Sequence, residues 1–360
     1  MNNSLNFIIG VMGLSWLLVV LATAFTPYFI RKNICFGISV PESEYYNPQL
    51  KTLQRNYSIG CVLAGLILGI GSSVCYIWTS AENTMWIQIV SLFLYFIISI
   101  LIYFFIRSKV KTIKQYSDWE IETKTVAEIS EKSDKTIRTS WYLLYLVIIA
   151  ITVFAPVLKY PSLPEQIPMH YNIAGEVDRY AAKSIGIFLT MPVMQLLIGL
   201  MFAGINLAIS TSKRQRDFKR NSAFRGVMSI TLFAIGFMVM LLFTCIQLSM
   251  LTILNERLTM FLPIVFLVAI FIICIYLAVK VGQGGSRLKA TDDAQVNTVD
   301  DDRYWLGGFL YCNKNDPSLF VEKRFGMGYT LNFGNQKSLI AIGILVILIV
   351  ALTVLPLILE

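Results

Sequence analysis

The sequence predicts an all-α polytopic membrane protein with about eight transmembrane helices and a small cytoplasmic β-hairpin module before the last helix. Of the 360 residues, 56% are hydrophobic and only 14% are charged. The mean hydropathy is +0.65, which is too apolar for a soluble domain of this length. The other two observations are a series of long uncharged stretches and an alternating distribution of basic residues between them.

Eight apolar stretches define the predicted helices. Each lacks Asp, Glu, Lys, Arg and His, and a helix that crosses about 30 Å of hydrocarbon needs roughly 20 such residues. The stretches lack the period-two alternation of a membrane barrel. The first has no basic residues before it, so we predict a retained helix and no cleaved signal. The predicted spans are 5–30, 58–78, 86–106, 141–158, 184–209, 227–248, 260–279 and 338–359.

The basic residues predict how the chain crosses the membrane. Of the 30 Lys and Arg residues, 26 lie in the loops 31–57, 107–140, 210–225 and 280–337. Because basic residues are retained on the cytoplasmic side, we predict that these loops are cytoplasmic. Both termini of this multi-pass protein of the cell membrane are then extracytoplasmic. The net charge of +8 is explained by this pattern, with membrane lipids as partners and no nucleic acid.

The spans and loops suggest a division into four segments. These are an N-terminal three-helix membrane region (1–140), a central membrane region with an external loop (141–281), a cytoplasmic linker with an aromatic β-hairpin module (282–337) and a last helix (338–360). Within the spans, Gln195, Asn206 and Gln247 are expected to form hydrogen bonds between helices. The spacing of Gly65 and Gly69 permits close helix packing within the chain, in an oligomer or around a lipid.

The composition of the spans also limits the function. An ion-coupled carrier is disfavoured because such proteins place ionisable residues inside the membrane, and there is no ring of charges typical of a channel. The motifs of P-loop ATPases, zinc proteases and esterases are absent, and no cysteines are closely paired. We therefore expect no metal site and no cofactor, and we assign no catalytic residue.

The external loop between the fourth and fifth spans concentrates the polar chemistry. It contains the single histidine of the chain. Its prolines favour extended backbone, and an Asn to Gly segment suits a turn, so a compact ordered loop is predicted. The polar side chains either organise the loop by hydrogen bonds, bind a ligand, or act as a general acid or base. The candidate residues are Pro164, Pro168, His170, Asn172, Gly175, Asp178 and Lys183.

The last cytoplasmic loop carries the second candidate site. Residues 318–323 and 328–333 alternate like strands around a glycine-containing turn, which predicts a β-hairpin. Its aromatic residues are expected either to pack beneath the bundle or at the lipid interface, or to bind a cytoplasmic partner. The preceding residues 280–302 are polar and acidic, which suggests a flexible linker. The candidate partner-binding residues are Trp305, Tyr311, Asp316, Arg324, Phe325 and Tyr329.

Two motifs resemble known families. The pattern Y-P-x-L-P-x-x-I-P-x-H-x-N-x-x-G-x-x-D-x-x-x-x-K, from Tyr160 to Lys183, resembles the signature of the domain of unknown function 1648, which also occurs in SdpI-type bacterial immunity proteins. Residues 301–305, 313–317 and 321–334 resemble the domain of unknown function 5808. The resemblance implies a bacterial membrane protein related to SdpI.

These observations lead to three functional hypotheses. The first is a non-enzymatic protein for immunity to, or sensing of, membrane-active peptides or envelope stress, with an extracellular peptide as ligand and a cytoplasmic regulator receiving the signal. The second is a transporter subunit or lipid carrier whose cytoplasmic module docks a transporter partner. The third is a membrane enzyme that acts on lipid head groups, with His170 as general acid or base.

Overall fold

The computed structural model is mostly helical and describes residues 2–79, 81–117, 119, 136–171, 177–211, 218–251, 254, 256–288, 300–326 and 328–359. Among these residues, seven helices are long and apolar enough to cross a membrane, and a shorter apolar helix covers Gln336–Ala351. The predicted fold class is therefore confirmed, and the chain is a multi-pass membrane protein. The α-helices are α1 (Asn2–Phe25), α2 (Pro48–Trp78), α3 (Ala81–Tyr116), α4 (Leu144–Lys159), α5 (Ile185–Thr211), α6 (Phe218–Met250), α7 (Glu256–Tyr276) and α8 (Gln336–Leu359).

Short strands pair as four two-stranded hairpins within the described residues. The pair β7–β8 is the hairpin predicted before the last helix, which is thereby confirmed. The pairs β1–β2 and β5–β6 have only two residues per strand, which is too short for a periodic signal in the sequence. The strands are β1 (Ile34–Cys35), β2 (Ile38–Ser39), β3 (Gln166–Tyr171), β4 (Val177–Ala182), β5 (Trp305–Leu306), β6 (Leu310–Tyr311), β7 (Phe320–Glu322) and β8 (Tyr329–Leu331).

The chain packs as two compact units. Unit 1 comprises Met1–Ile129, Ala278–Asn313 and Val321–Leu331, and unit 2 comprises Ser130–Leu277, Lys314–Phe320 and Asn332–Glu360. The division of the sequence into four segments describes the predicted membrane topology, whereas the two units describe packing. The four-segment division therefore stays a prediction.

In unit 1, α2 and α3 extend beyond the predicted spans. Helix α2 begins ten residues early because Asn47 caps it, with the side chain accepting a hydrogen bond from the Gln49 backbone at 2.9 Å, and because Pro48 suits the first helical position. Helix α3 continues to Tyr116, past the last residue of its apolar run, Ile106. Hydropathy locates the membrane-crossing part of a helix, whereas capping and backbone geometry set its ends.

The glycines of α2 serve to pack α1 against it. The Trp16 indole donates a hydrogen bond to the Gly65 carbonyl at 2.9 Å. A Cβ at Gly65 would collide with Val20, and one at Gly69 would collide with Trp16. Of the roles that the sequence left open for this glycine spacing, the structure shows packing within the chain.

In unit 2, polar side chains join the helices in the interior. Gln195 donates to the Met240 carbonyl at 2.9 Å, and Gln247 donates to the Phe188 carbonyl at 3.2 Å. Asn206 donates to the Ile137 carbonyl at 3.3 Å. All three glutamine and asparagine side chains are fully buried. The expected hydrogen bonds between segments are therefore present, since hydrocarbon offers no alternative partner.

A second contact in unit 2 depends on a glycine. The Tyr145 hydroxyl donates to the Phe233 carbonyl of α6 at 2.7 Å, and its ring stacks on the Phe233 ring at 5.3 Å. A Cβ at Gly236 would collide with this hydroxyl and with the Phe202 ring. Helix α4 can therefore approach α6 closely only where the side chain is absent.

We expect Gly236→Ala to destabilise unit 2, because the added methyl group displaces Tyr145 from its hydrogen bond. The cost should be about 1–3 kcal/mol of unfolding free energy. Thermal unfolding of the purified protein in detergent measures it. Gly204→Ala is the matched control, because a Cβ there meets nothing within 4 Å. Equal unfolding temperatures for the two variants would contradict the assignment.

Candidate functional site

The loop between α4 and α5, which is predicted to be external, folds as an irregular two-stranded sheet, which we call the outer hairpin (β3 and β4). Ile167 pairs with Ala181, Pro168 with Tyr180 and His170 with Arg179. The register shifts on both sides of His170, as at a β-bulge, which bends a strand and redirects its side chains. A proline is tolerated in β3 because both strands of a two-stranded sheet are edge strands.

The inner face of the outer hairpin is anchored in unit 2. Ile167 is fully buried and belongs to an apolar cluster with Leu163, Phe188 and Leu251, against which Met169 also packs. Alternate residues of β3 therefore face the protein, as expected for a strand with one buried side. Burial of a residue such as Ile167 contributes about 1.5–3 kcal/mol, which anchors β3 to unit 2.

Lys183 closes the base of the outer hairpin. Its ammonium donates to the Leu163 carbonyl at 3.1 Å and lies 3.1 Å from the Glu165 carboxylate. Its backbone N–H donates to the Glu165 carbonyl at 2.8 Å. The Glu165 side chain is 87% exposed, so the ion pair contributes little. The hydrogen bonds to backbone carbonyls make Lys183 a residue that organises the loop.

Strand β4 carries a strip of consecutive exposed side chains of mixed polarity. Asp178, Arg179 and Tyr180 are exposed neighbours on β4, so an acid, a base and a phenol are accessible together. Pro164 is exposed and Pro168 is half-buried. Asn172, Gly175 and the side chain of His170 lie outside the described part of the structure, so their predicted roles stay predictions. The described strip suits recognition of a ligand through charge and aromatic contact.

The module that is predicted to be cytoplasmic is organised in unit 1 by a buried cation, Arg324, whose contacts we call the Arg324 clamp. The guanidinium donates to the Gly37 carbonyl at 2.9 Å and to the Ser39 hydroxyl at 3.0 Å. It also forms ion pairs with Asp301 and Asp302. The planar guanidinium thus joins the β1–β2 hairpin to the segment before β5. The clamp comprises Arg324, Gly37, Ser39, Asp301 and Asp302.

The Asp302 carboxylate receives three charged or polar donors, from Arg324, Lys114 and Ser39. The Lys114 ammonium lies 2.8 Å from its carboxylate, and the Ser39 backbone N–H donates to it at 3.0 Å. Burial by itself would raise the pKa of Asp302. The charge of Arg324 and the hydrogen bonds from Arg324, Lys114 and Ser39 outweigh that effect and lower the pKa from 3.8 to about 2. The carboxylate is therefore ionised at any physiological pH.

A buried glutamine extends these connections. The Gln283 amide oxygen accepts from the Arg31 backbone at 3.0 Å, and its amide nitrogen donates to the carbonyls of Lys323 at 2.6 Å and Gly326 at 2.7 Å. The Arg31 guanidinium lies 3.3 Å from the Glu322 carboxylate. Three separated parts of the chain are thereby joined within unit 1.

Sequence reasoning missed Gln283, Asp301 and Asp302. Residues 280–302 were expected to form a flexible acidic linker, but 280–288 and 300–302 are structured and make these contacts. Residues 289–299 lie outside the described part. The acidic run has no periodicity, so its sequence does not distinguish a paired carboxylate from a solvated one. The role of the aspartates is revealed only by the position of Arg324.

Aromatic rings fill the space beside the clamp. Phe325 lies 4.6 Å from Tyr103 and 5.8 Å from Phe36, measured between ring centroids. Phe36 has a φ of 47°, which is rare for a bulky residue. Together with Gly37 it gives the two positive φ values that the two-residue turn of a hairpin requires. The strained backbone is retained because the ring fills this cluster.

The predicted partner-binding residues are distributed unevenly. Trp305, Tyr311 and Arg324 are buried in unit 1, where the Trp305 ring packs against Tyr311 at 5.0 Å and lies 5.1 Å from the Arg324 guanidinium. Phe325 joins the aromatic cluster. Tyr329 is half-buried on β8. Asp316 belongs to unit 2, where its carboxylate accepts from the Ser318 backbone at 2.9 Å. Binding of a partner by these residues stays a prediction.

An open groove lies between the first turns of α2 and the last turns of α3. Its volume is about 570 Å³. The lining combines hydroxyl groups, one lysine and a few apolar side chains, and it consists of Pro48, Gln49, Thr52, Leu53, Ser108, Lys109, Thr112 and Ile113. Both helices are long and apolar enough to cross a membrane, and the groove lies beyond the apolar run of each.

Comparison with known families supports both resemblances. Residues 147–196 match the model described as Domain of unknown function (DUF1648), and residues 314–339 match the Family of unknown function (DUF5808). These are the two families named from the motifs, in the same order along the chain. The first match contains the outer hairpin and indicates an uncharacterised membrane-associated family. No curated protein and no solved structure matches the chain significantly.

We expect Arg324→Lys to lower the unfolding free energy by about 2–4 kcal/mol, because one ammonium cannot satisfy two carboxylates and two further acceptors in a buried site. Denaturant titration in detergent, followed by circular dichroism, measures the change. Arg303→Lys is the matched control on a nearby exposed arginine. A similar loss in both variants would show that the clamp is not a principal source of stability.

The lowered pKa of Asp302 predicts how stability depends on pH. Its ionised form is stabilised in the folded state, so its contribution is fully present above pH 3.8 and is lost as the pH falls toward about 2. The contribution is on the order of 1–2 kcal/mol after allowance for solvent screening. We expect Asp302→Asn to flatten the acid limb of the stability curve. Asp300→Asn, which removes a more exposed partner of Lys114, should leave that limb steep; an unchanged limb in Asp302→Asn would refute the assignment.

Proposed function

We propose that this protein senses or confers immunity to membrane-active peptides or envelope stress, and that the outer hairpin is its recognition element. The observation that carries the proposal is the exposed strip Asp178, Arg179 and Tyr180 on a hairpin fixed by Ile167 and Lys183. A rigid recognition surface loses little conformational entropy when it binds a ligand. The match of residues 147–196 to an uncharacterised membrane-associated family agrees with this role but names no activity.

The chemistry of the strip matches that of an amphipathic peptide. Asp178 and the exposed Glu165 offer carboxylates to a cationic peptide, Arg179 offers a donor to peptide carbonyls or an acidic group, and Tyr180 offers an apolar ring with a polar tip. Tyr180 is 54% exposed. Peptides bound at the bilayer surface are concentrated in the layer that such a loop occupies.

The distribution of basic residues supplies the direction of the signal. In the proposed topology of a cell membrane protein, both termini and the outer hairpin are extracytoplasmic, and the Arg324 clamp is cytoplasmic. A ligand changes a protein only if it binds two states with different affinities. The clamp is a suitable two-state element, since its ion pairs either form together or leave buried charges unpaired. A cytoplasmic regulator that binds one of these states completes the proposal.

The proposal is tested by survival of a peptide-sensitive bacterial host that expresses the protein, against a panel of membrane-active peptides that includes SDP-type toxin. Selective protection is expected. Asp178→Ala and His170→Ala should reduce protection at unchanged abundance in the membrane. Truncation of one important contact weakens binding by roughly 5–30-fold.

Lys159→Ala is the matched control, because Lys159 is an exposed charge before the hairpin. Full protection by the two hairpin variants would reject the outer hairpin as the recognition element. An absence of protection across the panel, with expression confirmed, would reject immunity.

A transporter subunit or lipid carrier is the second candidate, and the groove between α2 and α3 favours it. The groove offers a phosphate-containing head group one charge, from Lys109, and the hydroxyl groups of Thr52, Ser108 and Thr112. Its apolar residues Leu53 and Ile113 suit the start of an acyl chain. Native mass spectrometry of the purified protein would detect a stoichiometric lipid or an associated nucleotide-binding subunit. Loss of the lipid in Lys109→Ala, but not in Lys111→Ala, would favour this function.

A further inference from the structure

The hairpin β5–β6 has one buried face and one apolar face that is exposed. Trp305 and Tyr311 are paired across the strands and buried, whereas the next pair, Leu306 and Leu310, points outward. Leu306 is 57% exposed, Leu310 37% and Phe309 38%. We call residues 306–310 the β5–β6 tip. An exposed cluster of large apolar side chains normally marks an interaction surface.

The β5–β6 tip lies against the membrane-crossing part of α3. The Phe309 ring is 5.9 Å from the Phe104 ring, and the Tyr103 hydroxyl lies 3.0 Å from the Gly307 carbonyl. The apolar run of α3 ends at Ile106, before the charged Arg107. Phe104 is therefore about 3 Å on the hydrocarbon side of that end. The tip is found at the depth where hydrocarbon meets the head groups.

Two glycines permit this close approach. Gly308 has a φ of +83°, and a Cβ there would collide with Tyr103 and Arg107. The turn of the β1–β2 hairpin reaches the same place, since a Cβ at Gly37 would lie 2.6 Å from Gly308. Arg107 donates to the Phe36 carbonyl at 2.7 Å. The β5–β6 tip is therefore held in place beside α3 by its backbone and by side chains of α3.

The surroundings of the tip indicate that its exposed side chains contact lipid. On α3, Leu101 is 62% exposed and Phe105 59% exposed, so the surface that faces lipid continues from α3 onto Phe309. Residues 305–312 contain no charged side chain and are flanked by Arg303 and Lys314. Apolar and aromatic residues between basic ones are typical of segments that lie in the membrane interface and attract anionic head groups.

We propose that the β5–β6 tip is immersed in the interfacial layer of the bilayer, with Leu306, Phe309 and Leu310 in contact with acyl chains. The C-terminal segment is then docked on the membrane surface by its own side chains, in addition to the contacts of the Arg324 clamp. This inference is independent of the proposed sensing function, because it rests only on the membrane location of α3 and on the geometry of the tip.

Fluorescence quenching tests the immersion. The variant Phe309→Trp, in full-length protein reconstituted into phosphatidylcholine and phosphatidylglycerol vesicles, reports the depth of the tip after subtraction of the wild-type signal from the six native tryptophans. Lipids brominated near the head group should quench the added tryptophan more than lipids brominated near the acyl terminus, as for a depth of about 5–10 Å. Aqueous acrylamide should quench it weakly.

Tyr116→Trp is the matched control, because Tyr116 is 87% exposed and lies about 18 Å further along α3 than Phe104. It should show the reverse pattern. Leu306→Trp is a second reporter on the same surface. It serves if the larger tryptophan ring at position 309 perturbs its neighbours. Quenching of both reporters by acrylamide and not by brominated lipid would overturn the proposal. Protection of both reporters from both quenchers would overturn it as well, in favour of a contact with a second copy or another protein.

Discussion

Hydrocarbon offers no partner for a hydrogen bond, and the structure of this protein depends on that constraint. In unit 2 the amides of Gln195, Asn206 and Gln247 donate to carbonyls of other segments, so each of these three side chains joins two parts of the fold. The Tyr145 hydroxyl does the same beside Gly236. A polar residue makes the insertion of a single transmembrane helix into lipid less favourable. In the folded protein, such residues specify how the helices are arranged.

The same constraint takes a more costly form in unit 1, where a charge is buried. Arg324 is 2% exposed, and an unpaired guanidinium in such a place would cost several kcal/mol. Asp301 and Asp302 compensate its charge, and the Ser39 hydroxyl and the Gly37 carbonyl each accept a further hydrogen bond from it. Because the partners come from distant parts of the sequence, satisfying one cation requires the β1–β2 hairpin and the C-terminal segment to be in place together.

The two candidate surfaces differ in how much of their chemistry is accessible. The outer hairpin buries Ile167 and exposes Asp178, Arg179 and Tyr180, so its anchoring residue and its exposed polar residues are separate. In the module that is predicted to be cytoplasmic, the aromatic and charged residues that suggested a binding surface, above all Trp305 and Arg324, are internal. Its accessible apolar residues are Leu306, Phe309 and Leu310. The proposed immersion of these three residues in the bilayer rests on the position of Phe309 beside Phe104.

The sequence by itself determined the membrane-spanning helices, the β7–β8 hairpin and the two family matches, because hydropathy, alternation and dense local motifs are properties of neighbouring residues. The tertiary structure decided the rest. Whether Asp302 is solvated or paired, and whether Gly65 faces lipid or Trp16, depends on residues far away in the chain. Such long-range contacts leave no periodic signal in one sequence. For that reason the sequence predicts a linker at the acidic run before β5, although the last residues of that run compensate the buried charge of Arg324.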